Sequence, residues 1–440
     1  MFTPEFFEFV IRWTTIALAI VLFIGIVLGL HEIIYVFWAL THRCHAPETD
    51  KKYKYAVLVP ARNESSVIGN SLNSLKAQTY DPNYFDVYVI VEDENDPTVK
   101  MTTDLGYNYV VRTNLENRRR KGYALDDAYQ HIVQSGKRYD AYIIFDADNV
   151  IDPHFIEEIN KLKATGVQVG SGFRKSTNVN SNWISGTSTL LFAIIYCLDG
   201  KGKSKFIKKV NICGTGHFLD SSILEKEGGF IWHSLTEDVE FTKYCYANNI
   251  ICGFNEDAIF YDEQPETIKM MRVQHVRWIA GFASVSRTYT KKVWYNIFHN
   301  KGRKFANYSY LIDIIPLILI VVGLIGYGII MIVFGGLAFA NKCWEWEWNW
   351  GEVALGLGIT SLIVLHFIMF FVCLITCIRE HKNLQMKPWI TFISCFLFTY
   401  YFVDFIPAFF KSLRKKNREW TVIEHKGKVT TKGAKNVKGK

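Results

Sequence analysis

Tyr142-Ile-Ile-Phe145-Asp146-Ala147-Asp148 is an apolar run that stops abruptly at two acids. Short, β-branched and aromatic, it reads as a strand buried on both faces. Upstream, Tyr55-Ala-Val-Leu-Val59 has the same character and ends at Pro60. Val87-Tyr-Val-Ile-Val91 runs into Glu92-Asp93, and Tyr109-Val-Val111 is a third such run. Between these runs, residues 65–78, 98–105 and 123–135 carry helical spacing. Strands alternating with helices predict an α/β domain with a mostly parallel sheet. In such sheets ligands bind beyond the carboxyl ends of the strands. Pro60, Asp93 and Asp146 all stand at those ends.

The rest of the 440-residue chain is of a different kind. Trp13 to Leu30 is uncharged and about long enough to cross hydrocarbon. Glu5 and Glu8 precede it and no small-residue cleavage site comes after it, so it reads as a retained anchor. His42, Arg43, Lys51, Lys52 and Lys54 come next, and these basic residues place the chain beyond residue 40 in the cytosol. Further apolar segments are Ile314 to Ala340, Val353 to Ile378 and Trp389 to Phe410, the last interrupted by Asp404 and Pro407. Trp344-Glu-Trp-Glu-Trp-Asn-Trp350 suits an outer interfacial belt. The net charge is +8, and residues 411–440 hold eleven Lys/Arg against Glu419 and Glu424, so +9 lies in the tail. Beside apolar segments such a tail reads as a cytosolic stretch on anionic lipid, with no nucleic-acid partner. Counting four crossings places that tail outside, against its charge, so the last segment is expected to be re-entrant or interfacial. The expected division is an anchor over 1–40, a cytosolic domain over 41–305 with interfacial helices towards its end, a membrane region over 306–412 and a basic tail over 413–440. The nine cysteines show no Cys-x-x-Cys pair or zinc spacing and read as reduced or buried thiols.

Several residues in the soluble part have chemistry to offer. Asp146 and Asp148, two apart at a strand end, can approach one hard cation, Mg²⁺ or Mn²⁺, of the kind that bridges diphosphates; solvated turn acids are the bland alternative. Thr236-Glu237-Asp238 starts an apparent helix with Thr236 as N-cap, and the acids complement its dipole. Asp238 is alternatively a general base. Gln274, Arg277 and Trp278 share one helix face at i, i+3, i+4. They suit either phosphate and sugar contacts or an interfacial helix with Arg and Trp at the headgroups. Lys121 lies in a basic loop, and Gly214-Thr215-Gly216 forms a turn that lets backbone approach a ligand.

In this order the motifs resemble glycosyltransferase family 2, in the membrane-integrated branch that includes cellulose, chitin, hyaluronan and poly-N-acetylglucosamine synthases. The resemblance covers residues 53–280 and the flanking apolar layout. It implies a GT-A-like nucleotide-sugar-binding domain with added transmembrane helices. Pro60, Ala61 and Glu64 resemble the opening nucleotide-binding turn, and Asp93 the acid that binds base or ribose. Lys121-Gly-Tyr-Ala-Leu125 resembles the stretch near the diphosphate. Asp146-Ala-Asp148 resembles the metal motif, binding Mg²⁺ or Mn²⁺. Gly214, Thr215 and Gly216 fall where the acceptor pocket is lined. Glu237 and Asp238 match the catalytic-base motif, and Gln274 to Trp278 the Gln-x-x-Arg-Trp motif. Arg277 is then expected on the leaving diphosphate, with Gln274 and Trp278 on the acceptor. Two departures stand out: Glu92-Asp93-Glu94 replaces the commoner acidic pair, and Cys213-Gly-Thr-Gly-His217 departs from the usual acceptor stretch.

The resemblance therefore implies an inverting transferase in the cell membrane. It would use a nucleotide-diphosphate sugar, UDP-linked, and extend a polysaccharide at the cytosolic face. The alternative is single addition to a lipid, giving a glycolipid acceptor instead of a carbohydrate one.

Overall fold

A computed structural model describes residues 3–113, 115–116, 118–299, 304–313, 315–340 and 349–413. Helix α1 (Pro4–Thr41) opens the chain, and the first half of the domain comprises β1 (Tyr55–Pro60), α2 (Ile68–Lys76), β2 (Phe85–Val91), α3 (Pro97–Asp104), β3 (Asn108–Val111), α4 (Lys121–Gln134) and β4 (Ala141–Ile144). The second half comprises β5 (Val150–Ile151), α5 (Phe155–Ala164), β6 (Val169–Ser176), α6 (Trp183–Ile194), α7 (Lys201–Ile207), β7 (His217–Asp220), α8 (Ser221–Glu227), α9 (Glu237–Ala247) and β8 (Cys252–Asp262). Then come α10 (Ile268–Val285), α11 (Thr290–His299), α12 (Lys304–Ile312), α13 (Ile315–Ala340), α14 (Trp350–Arg379), α15 (His381–Leu384), α16 (Pro388–Val403) and α17 (Phe405–Ser412).

The strands form one eight-stranded sheet in the order β3-β2-β1-β4-β7-β6-β8-β5. From β3 to β4 every pairing is parallel, as the βα alternation demands. Beyond β4 the sheet is mixed: β7 runs antiparallel to β4 and β6, β5 antiparallel to β8, and β6 parallel to β8. Successive residues of the central strands enter opposite cores. Val57, Val59, Val87 and Val89 join one cluster, while Ala56, Leu58, Tyr88 and Ile90 join the other. That explains why these strands are continuously apolar.

The ends of the elements are set locally. Asp96 caps α3 by accepting from Thr98 N at 2.8 Å, with Pro97 as the first helical residue. Asn182 caps α6, accepting from Ile184 N at 2.9 Å and Ser185 N at 3.1 Å.

Five helical stretches are long and apolar enough to cross a membrane: Glu5–Thr41, Trp183–Ile207, Lys304–Ala340, Trp350–Arg379 and Pro388–Ser412. Four contain the segments expected from sequence. Trp183–Ile207 was not among them, and it differs in kind: 72% of its apolar window is buried, against 11% for Glu5–Thr41. It packs beneath the domain against α16, as a core helix does. The last segment is broken at Asp404 into α16 and α17. Residues 344–348 of the Trp-rich belt and residues 414–440 of the basic tail lie outside the described residues.

Candidate active site

The site gathers where β4 ends. Gly216 N donates to Ile144 O at 2.9 Å, which carries the Gly-Thr-Gly turn across the carboxyl end of β4. Gly216 has a φ of +66°, and a Cβ there would stand 2.0 Å from the Phe260 ring, so only glycine fits. Thr215 is fully buried. Its hydroxyl donates to Asn149 Oδ1 and accepts from Asp146 N at 3.0 Å. Asn149 Oδ1 also accepts from Asp146 N at 3.1 Å, while Asn149 Nδ2 donates to Asp148 Oδ1 at 3.3 Å and Asp262 Oδ1 at 3.0 Å. The residue after the acidic pair thus fixes both acids, through the backbone of one and the carboxylate of the other. Asp262 in turn is ion-paired to buried Arg174.

Lys121, the first residue of α4, points its ammonium into this turn. It bonds Asp146 Oδ1, donates to Gly214 O at 2.8 Å and lies 3.9 Å from Glu237 Oε1. A Cβ on Gly214 would lie 3.4 Å from Asp238 Oδ2, so the two carboxylates of α9 border the same turn. Thr236 stands at the N-cap of α9, but its hydroxyl makes no cap bond. Its side chain instead meets α10: a Cβ on Gly281 would stand 2.2 Å from Thr236 Cγ2. Gly281 lies seven residues after Gln274, on the face that carries Arg277 and Trp278. The small residue is what allows the two motifs to touch.

Burial and charge divide the acids into two groups. Burial alone would raise the pKa of Asp146, but the Lys121 ammonium, with Arg174 and Arg277, brings it below the ordinary value. Burial pushes Glu237 up to about 7, with Lys121 opposing and Asp238 reinforcing the shift. Burial also raises Asp238, against the bond from Val239 N at 2.8 Å and the nearby cations. Burial and the Lys121 charge lower His217 to about 3, leaving it a neutral wall of the site. A cavity of about 20 Å³, room for about one water, lies behind Gly214, Glu237 and Asp238, walled by His217, Trp232 and Phe241. Among the described residues no carboxylate lies within ion-pair distance of Arg277, yet its charge acts on both Asp146 and Asp238.

The expected residues therefore fall into three groups. Lys121, Asp146, Asp148, Gly214, Thr215, Gly216, Glu237 and Asp238 meet around one turn. Pro60, Ala61, Glu64 and Asp93 lie on the same sheet edge as a separate group. Ala61 N donates to Ile90 O at 2.8 Å, and Glu64 N to Thr98 Oγ1 at 3.0 Å. Asp93 is exposed, and its carboxylate accepts from its neighbour Asn95 at 2.8 and 2.9 Å. The third group is on α10. Trp278 packs edge-on to Phe192 at 5.8 Å, and Gln274 Oε1 is buried with no partner among the described residues. Sequence reasoning missed Asn149, Arg174, His217 and Asp262. Only Asn149, adjacent to the acidic pair, offered a signal.

Asp146 and Asp148 supply hard carboxylate oxygens, and buried Asn149 orients both. Two such carboxylates, with a ligand's phosphates completing the shell, fit Mg²⁺ or Mn²⁺. A tighter acidic group exists elsewhere, at Glu32, Asp199 and Asp313. Its centre is already served by the buried Lys203 ammonium, 2.7 Å from Asp199 Oδ1 and paired with Asp313, so it is a half-buried ion-pair cluster.

Known proteins match this arrangement. The family model for glycosyl transferase family group 2 matches residues 142–404. The chain is 26% identical over 240 residues to the probable glycosyltransferase YdaM of Bacillus subtilis, covering 52% of this chain and 55% of that protein. It is 24% identical over 231 residues to the poly-β-1,6-N-acetyl-D-glucosamine synthase of Staphylococcus epidermidis, covering 51% and 53%. The chain thus spans about half the length of the curated relatives it matches. In fold it is similar to the mannosyltransferase PcManGT from Pyrobaculum calidifontis, solved with GDP-Man and Mn²⁺, with a TM-score of 0.51 at 15% identity over 90% of this chain and 99% of that one. A GT-A-like mixed sheet carries the acids, and the family match runs from β4 to the Asp404 break: the chain belongs to glycosyltransferase family 2 and is an enzyme of that family.

Proposed function

We propose that the enzyme moves a sugar, with inversion, from a UDP-linked donor to a growing polysaccharide at the cytosolic face of a membrane. The observation that carries this reading is the meeting of Lys121, Asp146, Gly214, Glu237 and Asp238 at the end of β4. Residues 41–305 are the catalytic part, and residues 1–40 and 306–412 hold it to the bilayer. The donor's nucleoside lies along Pro60, Ala61, Glu64 and Asp93. Its diphosphate lies between Lys121 and Arg277. The acceptor sugar lies against Gly214 to Gly216, Gln274 and Trp278. The name of the Staphylococcus epidermidis relative supports a polysaccharide product, and the nucleotide-sugar complex of the Pyrobaculum calidifontis enzyme supports a donor of that class.

The reaction is an in-line displacement. Asp238 removes the acceptor hydroxyl proton as that oxygen forms its bond to the anomeric carbon, and the bond from that carbon to the diphosphate oxygen breaks. The raised proton affinity of buried Asp238 suits a base working near neutral pH. Lys121 and Arg277 hold the departing diphosphate. Mg²⁺ or Mn²⁺, held by Asp146 and Asp148 when bound, offsets the charge of that leaving group.

Asp238→Asn is expected to reduce transfer by roughly a hundred- to ten-thousand-fold while UDP binding survives. Retained transfer would sink the assignment. Chelation should abolish transfer and added Mn²⁺ restore it; activity that persists in chelator refutes the metal role. Single addition to a lipid is the second reading, favoured by the small number of long apolar helices available to build a channel. Incubation with a panel of radiolabelled nucleotide-sugars and product sizing separates the two, since a high-mass product means a polymer and one small lipid-soluble product a glycolipid.

A further inference from the structure

An acid inside an apolar membrane-associated segment is costly and calls for a reason. Asp404 is such an acid, 3% exposed, at the break between α16 and α17. It accepts from Arg272 Nε at 2.8 Å and from His275 Nδ1 at 3.2 Å. Both partners lie on α10, and His275 sits inside the Gln274-to-Trp278 motif. Asp404 as a carboxylate only accepts, so His275 carries its proton on Nδ1. Burial lowers His275 to about 4 despite the bond to Asp404, so the ring is neutral. His275 is fully buried, and its Nε2 has no partner among the described residues.

The next residue extends the contact. Phe405 stacks on the His275 ring at 4.0 Å and lies nearly parallel to Trp278 at 6.5 Å. His275 itself is 5.7 Å from Trp278. The break in the last apolar helix therefore forms the back wall of the indole, while Arg277 acts on the acids at the other side.

We infer that Asp404 is a positioning residue for the acceptor side of the transfer site, setting Trp278 through His275 and Phe405. This rests on the reading that Trp278 meets the acceptor. A carboxylate fixes both donors of α10 at once, where an apolar residue would leave buried His275 and half-buried Arg272 without this partner. The donor side, built on the sheet edge, does not depend on this contact.

The test uses the full chain in lipid nanodiscs with Asp404→Asn and Trp278→Ala. Amide exchange over residues 274–280 should quicken about tenfold in Asp404→Asn, while the affinity for UDP with Mn²⁺ stays within about twofold. With UDP-N-acetylglucosamine as donor probe and N-acetylglucosamine as acceptor probe, acceptor KM should rise about tenfold with donor KM unchanged. Unchanged exchange overturns the proposal. So does UDP affinity falling in step with exchange, because Asp404 would then hold the whole domain. If Asp404→Asn fails to accumulate, Arg272→Gln breaks the same contact from α10 and leaves α16 intact, with the same split expected. Trp278→Ala transferring normally, while Asp404→Asn still loosens α10, refutes the acceptor reading and leaves the mechanical link standing.

Discussion

At the scale of single residues, the site works because of groups that stabilise the fold poorly. Glu237 has an ordinary carboxylate value of 4.5, and burial raises it to about 7 in the folded protein. The folded state therefore binds this proton more tightly than the unfolded chain. Its contribution is fully present below the unfolded value and is lost as pH rises through about 7. Glu237→Gln should melt above wild type at about pH 8, with the advantage shrinking towards about pH 5. A constant offset across that range would refute the burial argument. Gly281 presents the opposite case, a residue whose lack of a side chain is its function. Gly281→Ala puts a methyl 2.2 Å from Thr236 Cγ2, so α10 must back away from α9. The expected cost is about 1–3 kcal/mol of stability. Transfer should fall further than UDP binding, read by calorimetry and initial rates; wild-type transfer in Gly281→Ala would show that the contact is incidental.

At the scale of elements, the last apolar segment bears on the conflict between charge and counting. Helices α16 and α17 together cover Pro388–Ser412, 25 residues, about 37 Å at 1.5 Å each, enough for the roughly 30 Å of hydrocarbon, but the stretch is interrupted at Asp404, after 16 residues of α16. The start of α16 is tied to the loop before α6, with Lys387 N donating to Asn180 Oδ1 at 2.7 Å and Asn180 Nδ2 to Gln385 O at 3.0 Å. Its end is tied to α10 through Asp404. Both ends of α16 thus rest on the catalytic domain, which predicts that the segment turns back without crossing and that residues 414–440 stand on the domain's own side. A cysteine in place of Lys428 should react with a membrane-impermeant reagent from the same side as one in place of Arg119; labelling from opposite sides refutes the hairpin. This contact was half legible. Asp404 and Pro407 interrupt the hydropathy visibly, but Asp404 meets Arg272 across 132 residues, and no local pattern encodes that. The parallel half of the sheet was legible because its strands are short, apolar and stopped by Pro60, Asp93 and Asp146. The antiparallel half was not: β7 is only four residues, His217–Asp220, and β8 mixes Asn255, Glu256 and Asp257 into its run. The helix from Trp183 escaped notice because Ser185, Thr187, Ser188 and Thr189 interrupt its apolar face, and all four are buried. The motif acids were legible individually, whereas Asn149 as their common anchor required the fold.

At the scale of the whole molecule, the long apolar helices and the catalytic domain are joined by buried charge. Helices α1, α13 and α14 pack on one another. Where α14 ends, Arg379 Nε donates to Leu40 O at 2.9 Å and Arg379 Nη2 to His42 O at 2.8 Å, closing α14 onto the end of α1. Glu380 comes next, with no exposed side-chain surface, 3.0 Å from the Lys201 ammonium. Lys201 is equally buried and lies 2.6 Å from Glu256 on β8. Arg43 approaches the same two acids at 3.2 and 3.6 Å. One ammonium therefore bridges the domain-side end of a long apolar helix to the sheet that holds the acids of the site. Removing it leaves two buried carboxylates facing each other, with the half-exposed Arg43 and, 3.7 Å from Glu380, Arg379 as the remaining guanidinium groups. Lys201→Met should cost about 3–5 kcal/mol, the usual penalty for breaking a buried pair from one side. Salt should change this little, since buried pairs are weakly screened. Adding Glu380→Gln to Lys201→Met should recover part of the loss, because one of the stranded charges is gone. Denaturant titration of the detergent-solubilised chain measures all three forms. Strictly additive losses would mean the two groups do not act as a pair, and the domain would then be held to its helices by its other contacts, such as Asp404 with Arg272.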